Sequence, residues 1–235
     1  RSKIDLYLKC KRCAYLDMRL GIKQPKSFPY NLNSRIDNLL KEEFDLARKE
    51  KTKTIYQKEA KIECIPYDHP NLNIWREPFK AARFHHKDTN ITVAGSVDDL
   101  WQNLDTQKIH IVDYKSTFSE KFDTLKNFNA PYLISYKRQA EIYQWILANL
   151  GLNIDDTSYF LYVNADPNQK TFLNKLDFEW AIIPYKSQNY DWINNTIIEI
   201  KNFLETNKIP SSSKDCEICK FMSKFFNFIK KPNLL

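Results

Sequence analysis

The chain has 235 residues, 43% hydrophobic and 14% aromatic, enough to build a substantial core, and its 36 Lys and Arg against 29 Asp and Glu leave a formal charge of +7. That composition points to a compact globular protein, and no apolar run reaches the roughly 18 residues of a membrane-spanning helix. The positive balance suits a polyanionic partner such as nucleic acid, and equally a solvated lysine-rich surface. The first residues, RSKIDLYLKCKRC, lack the apolar core of a secretory signal, so the expected location is the cytoplasm.

In chain order, KIDLYLKCKRCAYLDMRLG predicts a helix closing at Gly21, followed by a loop with Pro25 and Pro29. A second helix over NSRIDNLLKEEFDLARKEK carries Ile36, Leu39, Leu40, Phe44 and Leu46 at helical spacing, with its charged positions facing outward. From about Lys80 short strands take over: AARFHH, the turn-like KDTN, ITVAGSVDDLW, the loop QNLDTQK, and IHIVDYKST. The helix YKRQAEIYQWILANLG ends on Gly151, which accepts a left-handed cap. Strands TSYFLYVNA and FEWAIIPY follow, then the amphipathic helix DWINNTIIEIKNFLETNK, a polar linker, and the aromatic, basic run KFFNFIKK. This order implies one α/β domain over residues 1–235, with a mixed sheet and helical additions at both ends.

On a strand alternate side chains share a face, so Asp113 and Lys115 project together, after Ile109 and Ile111. Only one of Asp98 and Asp99 can join them if the two strands pair as a hairpin. Asp98 is the choice, because Val93, Val97 and Trp101 mark the other parity as buried. Two carboxylates converging from adjacent strands make a hard oxygen site for Mg2+ or Mn2+, with Lys115 placed to orient water or stabilise a leaving oxyanion. An isolated D-x-K is also what a surface ion pair looks like.

Three spacings together narrow the reading: Gly95 to Asp98, Asp113 to Lys115, and Gln139 to Tyr143, one helical turn apart on one face. In this order they resemble the G-x-x-D, (D/E)-x-K and Q-x-x-x-Y motifs of the RecB-like branch of the PD-(D/E)XK nuclease superfamily. The resemblance implies a restriction-endonuclease-like core, a central mixed sheet flanked by helices. It implies a metal held by Asp98, Asp113 and the carbonyl of Tyr114, catalytic assistance from Lys115, and a DNA strand placed by Gln139 and Tyr143. The family usually adds a histidine ligand from an early helix. Here RIDNLLKEE puts Asp37 at that place, with Glu42 and Glu43 beyond it.

Four of five cysteines form two C-x-x-C pairs, Cys10 with Cys13 and Cys216 with Cys219, about two hundred residues apart. In a cytosolic chain disulfides are not expected, and two such loops supply four ligands for Zn2+ or an iron-sulfur cluster that fastens one end of the domain to the other. AddB-type nucleases and the related CRISPR-associated exonuclease resemble this layout, which implies a four-iron four-sulfur cluster, although they more often split the ligands one and three. Cys64 is solitary and expected in the core, and His69, His85, His86 and His110 receive no role.

The resulting expectation is a Mg2+- or Mn2+-dependent deoxyribonuclease acting on single-stranded or end-containing DNA, in repair, recombination or CRISPR-type processing, with a helicase or complex subunit as a further partner. Two rivals are a non-catalytic nucleic-acid-binding module and a scaffold subunit docking through KFFNFIKK.

Overall fold

The computed structural model describes residues 1–25, 28, 30–125, 130 and 133–230. Pro29 of the expected loop and Lys231 at the end of the aromatic run lie outside the described residues. In chain order the elements begin with α1 (Ser2–Lys9), α2 (Lys11–Met18), α3 (Asn31–Glu50), α4 (Ile55–Glu59), β1 (Cys64–Pro66), α5 (Leu72–Arg76), β2 (Ala82–His86) and β3 (Ile91–Gly95). There follow β4 (Asp99–Asn103), β5 (Ile109–Thr117), α6 (Phe122–Leu125), α7 (Ile134–Asn149), β6 (Thr157–Ala165), β7 (Phe178–Lys186), α8 (Asp191–Glu205) and α9 (Glu217–Ile229).

These elements form two compact units. One comprises Arg1–Phe28, Lys87–Ile91 and Trp192–Leu235; the other comprises Pro29–His86 and Thr92–Asp191. No linker announces the division, because the first unit takes both ends of the chain.

The larger unit is built on a five-stranded sheet in the order β1-β4-β5-β6-β7. Strands β5 and β6 are parallel and every other neighbouring pair is antiparallel, so this is the mixed α/β sheet that the element order implies. Parallel neighbours need a crossover, which the segment containing α7 supplies, and they end up covered on both faces. On one face Val112, Tyr114, Leu161 and Val163 pack with Leu40 and Phe44 of α3 and with Trp101 and Cys64. On the other, Phe160, Tyr162 and Ile183 pack with Leu133 and with Ala140 of α7. Cys64 is thus the core residue expected. Gly151 has φ of 94°, the left-handed conformation expected after α7.

Two expectations need correction. The stretch ITVAGSVDDLW is not one strand of a hairpin: it breaks after Gly95, β3 pairs with β2 in a separate two-stranded sheet, and β4 alone pairs with β5. On α3 the buried stripe is Leu40, Phe44, Ala47 and Arg48, while Leu39 and Leu46 are exposed. Residues four apart stay on one line along a helix, and positions 39 and 46 fall off that line. Arg48 is therefore a charged residue of α3 that faces inward.

In the smaller unit, the expected single helix through Cys10 is two helices. Cys10 is extended, with φ of −155° and ψ of 107°, and it caps α2. Tyr7 and Tyr15 pack edge-on against Phe203 of α8, with ring centroids 5.1 Å and 5.5 Å away. Tyr15 Oη donates to the carbonyl of Thr206 at 2.7 Å, Arg12 Nε to Pro210 at 3.0 Å, and Ser213 Oγ to Lys9 at 2.7 Å. Among the described residues no helix is long and apolar enough to cross a membrane.

Candidate functional site

Alternation along β5 sends Val112 and Tyr114 into the α3 face and leaves Asp113 and Lys115 on the other, as the sequence implies. Asp113 is 2% exposed. The Lys115 ammonium ion-pairs with its buried Oδ2 and lies 4.7 Å from the centre of the Tyr136 ring. Asp98 stands just before β4, and the register that sets Asp99 opposite Val112 brings Asp98 level with Asp113. Its Oδ2 accepts the Tyr114 N–H at 3.1 Å, and its Oδ1 lies 3.2 Å from Lys41 Nζ. Lys41 also reaches Asp37, one turn earlier on α3, at 2.7 Å. Asp37, Asp98, Tyr114 and Lys115 line one cleft of about 290 Å3.

The third motif closes on the same point. Gln139 Nε2 on α7 donates to Asp113 Oδ1 at 2.6 Å and lies 3.2 Å from Tyr143 Oη. A side chain at Gly95 would put its Cβ about 2.6 Å from Tyr143 Cδ1, inside van der Waals contact, so glycine is what lets α7 come this near. The two residues that the resemblance aims at a DNA strand are here engaged with Asp113 and Gly95.

The charges are poised rather than neutral. Burial pushes Asp113 up to about 6, opposed by Lys115 and reinforced by Asp98, which acts on it both by charge and as a hydrogen-bond partner. Burial acts to lower Lys115, but the charges of Asp113 and Asp98 outweigh it and hold the ammonium above its ordinary value. Lys41 behaves alike: burial lowers it, and Asp98 and Asp37 more than compensate. Asp37 is raised, by burial first and by the charge of Asp98 second. Asp37, Asp98 and Asp113 do not all close to within 4.8 Å of one another, as the cysteines do.

Sequence reasoning missed what lies beneath Asp98. Asp99 is fully buried and ion-pairs with Arg48 and, at 3.5 Å, with Arg76. It also accepts the Tyr114 hydroxyl at 2.6 Å and the Leu100 N–H at 2.7 Å. Arg76 Nε donates to the Asp98 carbonyl at 2.8 Å, and its Nη1 donates to both Asp45 carboxylate oxygens. Besides Lys41, Asp98 is thus held by the Tyr114 backbone and Arg76, whose side chains both reach Asp99. The parity that excluded Asp99 from the site was the one signal pointing to a buried carboxylate. His110 is buried on the face opposite Asp113 and donates from Nδ1 to the Thr157 carbonyl at 2.8 Å.

In the smaller unit Cys10, Cys13, Cys216 and Cys219 bring their sulfurs within 4.8 Å of one another and can hold a metal ion or cluster. The pairs Cys13–Cys216 and Cys13–Cys219 stand 3.5 Å apart, and Cys10–Cys219 3.8 Å. Burial pushes the Cys13 thiol up to about 11, and Cys219 rises too, there with help from the neighbouring thiols. Cys10 moves the other way: burial is outweighed by hydrogen bonds from the Cys13 and Ser213 backbone, which bring it down to about 6.

No family model matches the chain, and no curated protein matches it.

Proposed function

We propose that the larger unit is a nuclease that hydrolyses DNA phosphodiester bonds with a bound Mg2+ or Mn2+. One observation carries the reading: Gly95, Asp98, Asp113, Lys115, Gln139 and Tyr143, from three separate motifs, meet at one end of β5.

The fit to a divalent ion rests on Asp113. Its Oδ2 is a buried hard oxygen that faces the Lys115 ammonium, beside a second carboxylate. Asp98 and Asp113 would hold the ion, with the Tyr114 carbonyl and Asp37 as further oxygens. When bound, the ion would acidify water and offset charge growing on the phosphate. Asp113 and Asp98 hold the Lys115 ammonium above its ordinary value, so its part is to orient the attacking water or stabilise the leaving oxyanion by donation. Gln139 keeps the Asp113 carboxylate turned towards Asp98. The positive charge of the chain adds sequence-independent affinity for the strand that falls as salt rises. Single-stranded or end-containing DNA is the substrate the resemblance favours, and a repair, recombination or CRISPR-type complex is the setting.

A non-catalytic nucleic-acid-binding module is the second reading, favoured by Lys41 and Lys115, which already neutralise Asp98 and Asp113. Labelled single- and double-stranded DNA, incubated with the purified chain in Mn2+ or in chelator, separates the two. The nuclease reading expects cleavage in Mn2+ alone and a loss of about a thousandfold in Lys115→Ala. Binding without metal-dependent turnover supports the module, and a Lys115→Ala variant as fast as the parent rejects the catalytic assignment.

A further inference from the structure

A four-iron four-sulfur cluster is what the resemblance implies for the cysteines, and the sulfur spacing does not fit one. Four thiolates bound to one Zn2+ at about 2.3 Å occupy the corners of a tetrahedron whose edge is about 3.8 Å. The sulfur pairs measured here are 3.5 Å, 3.5 Å and 3.8 Å apart, and all four sulfurs lie within 4.8 Å of one another. In a four-iron cluster each thiolate binds a different iron at the outside of an iron–sulfide cage, which holds the sulfurs farther apart than this.

The four ligands are presented by two helix starts. Cys10 is the N-cap of α2 and Cys13 its third residue; Cys216 is the N-cap of α9 and Cys219 its third residue. Each pair therefore offers a cap sulfur and a first-turn sulfur to one point in front of a helix N-terminus. Two helix N-termini converge there, and their partial positive charges offset the net negative charge of four thiolates on a divalent ion. Cys10, Cys13 and Cys219 are buried, and the ligand count leaves no open position for a substrate.

We propose that Cys10, Cys13, Cys216 and Cys219 hold a single tetrahedral Zn2+ as a structural clasp of the smaller unit. Each sulfur binds as a thiolate, any proton it carries passing to solvent, and no electron is transferred. The ion ties Lys11–Met18 to Glu217–Ile229, segments from opposite ends of the chain. The claim concerns the smaller unit alone and stands whether or not the larger unit cuts DNA.

The test is metal and acid-labile sulfide analysis, with native mass spectrometry, of the full chain purified anaerobically without added metal. One zinc per chain and a colourless protein are expected, with the zinc lost in Cys216→Ser/Cys219→Ser and kept in Cys64→Ala. Should the double variant fail to fold, the parent reconstituted with Co2+ gives the reading instead. The ligand-field bands of tetrahedral thiolate-bound cobalt should appear at one equivalent and be abolished by one equivalent of Zn2+. Iron in place of zinc, with or without sulfide, overturns the proposal. So does a chain that carries no metal and yields no tetrahedral cobalt spectrum.

Discussion

The carboxylate cleft and the cysteine cluster answer one problem, the crowding of acidic groups, in opposite ways. In the cleft two lysines answer three carboxylates: Lys41 serves Asp37 and Asp98, and Lys115 serves Asp113. In the cluster the sulfurs face one another across 3.5 Å to 3.8 Å, with the backbone of two helix starts behind them. The first arrangement holds its charge with or without an added ion, which suits an ion that exchanges with solvent. The second suits a soft ion held for the life of the fold.

The sharpest way to break that contrast is to remove metal from each site in turn. Stripping the cysteine site with a thiol-competent chelator should lower the melting temperature by about 10 °C or more, because metal binding at such sites is folding free energy. Withholding Mg2+ and Mn2+ should leave melting nearly unchanged while stopping cleavage. Calorimetry on the two preparations decides it, and equal melting in both would collapse the distinction.

Next in size is the contrast between neighbours. Asp99→Ala leaves Arg48 and Arg76 with Asp45 as their shared anion and strands the Tyr114 hydroxyl, so urea unfolding should show a loss of about 3–5 kcal/mol. Asp98→Ala, whose side chain faces the cleft, should cost less than about 1 kcal/mol and abolish cleavage. Reversed effects would mean that parity assigned the two aspartates wrongly. Smaller again is Gly95→Ala. The new methyl group would press on Tyr143, and the strain of moving that ring should cost about 1–3 kcal/mol and loosen the hold of Gln139 on Asp113. A fully stable variant would show that α7 yields at no cost.

What the sequence made legible follows from the range over which each signal acts. Alternation is local, so Asp113 with Lys115, and Asp98 in preference to Asp99, could be placed from a few residues. The paired strands β6 and β7 carry their own apolar patterns and appear where expected. The close packing at Gly95 comes from Tyr143, far along the chain, and a lone glycine in strand-like sequence does not reveal what approaches it. Arg48 looks like any charge in the last turn of a helix, because its partner Asp99 lies 51 residues away. The break at Cys10 was hidden for a related reason: nothing beside it is a helix breaker, and the cap makes sense only beside Cys216 and Cys219.

The smallest expected effect tests whether Asp113 is strained by its setting. Its carboxyl is raised from 3.8 to about 6, so the folded chain holds the proton more tightly than the unfolded one. Below about pH 4 both states are protonated and the site costs nothing. Between about pH 4 and 6 the unfolded state gives up its proton first, so stability falls as pH rises, and above about pH 6 the full cost is present. Asp113→Asn keeps an acceptor for Gln139 and removes the charge, leaving Lys115 with Asp98 as its remaining anion, which returns part of the gain. The variant, free of Mg2+ and Mn2+, should therefore be more stable than the parent by about 1 kcal/mol at pH 8 and no more stable at pH 4, while inactive at both. A stability difference that stays level across that range would show that Asp113 sits at ease as an ordinary buried ion pair. The site would then be organised around Lys115 rather than around an ion.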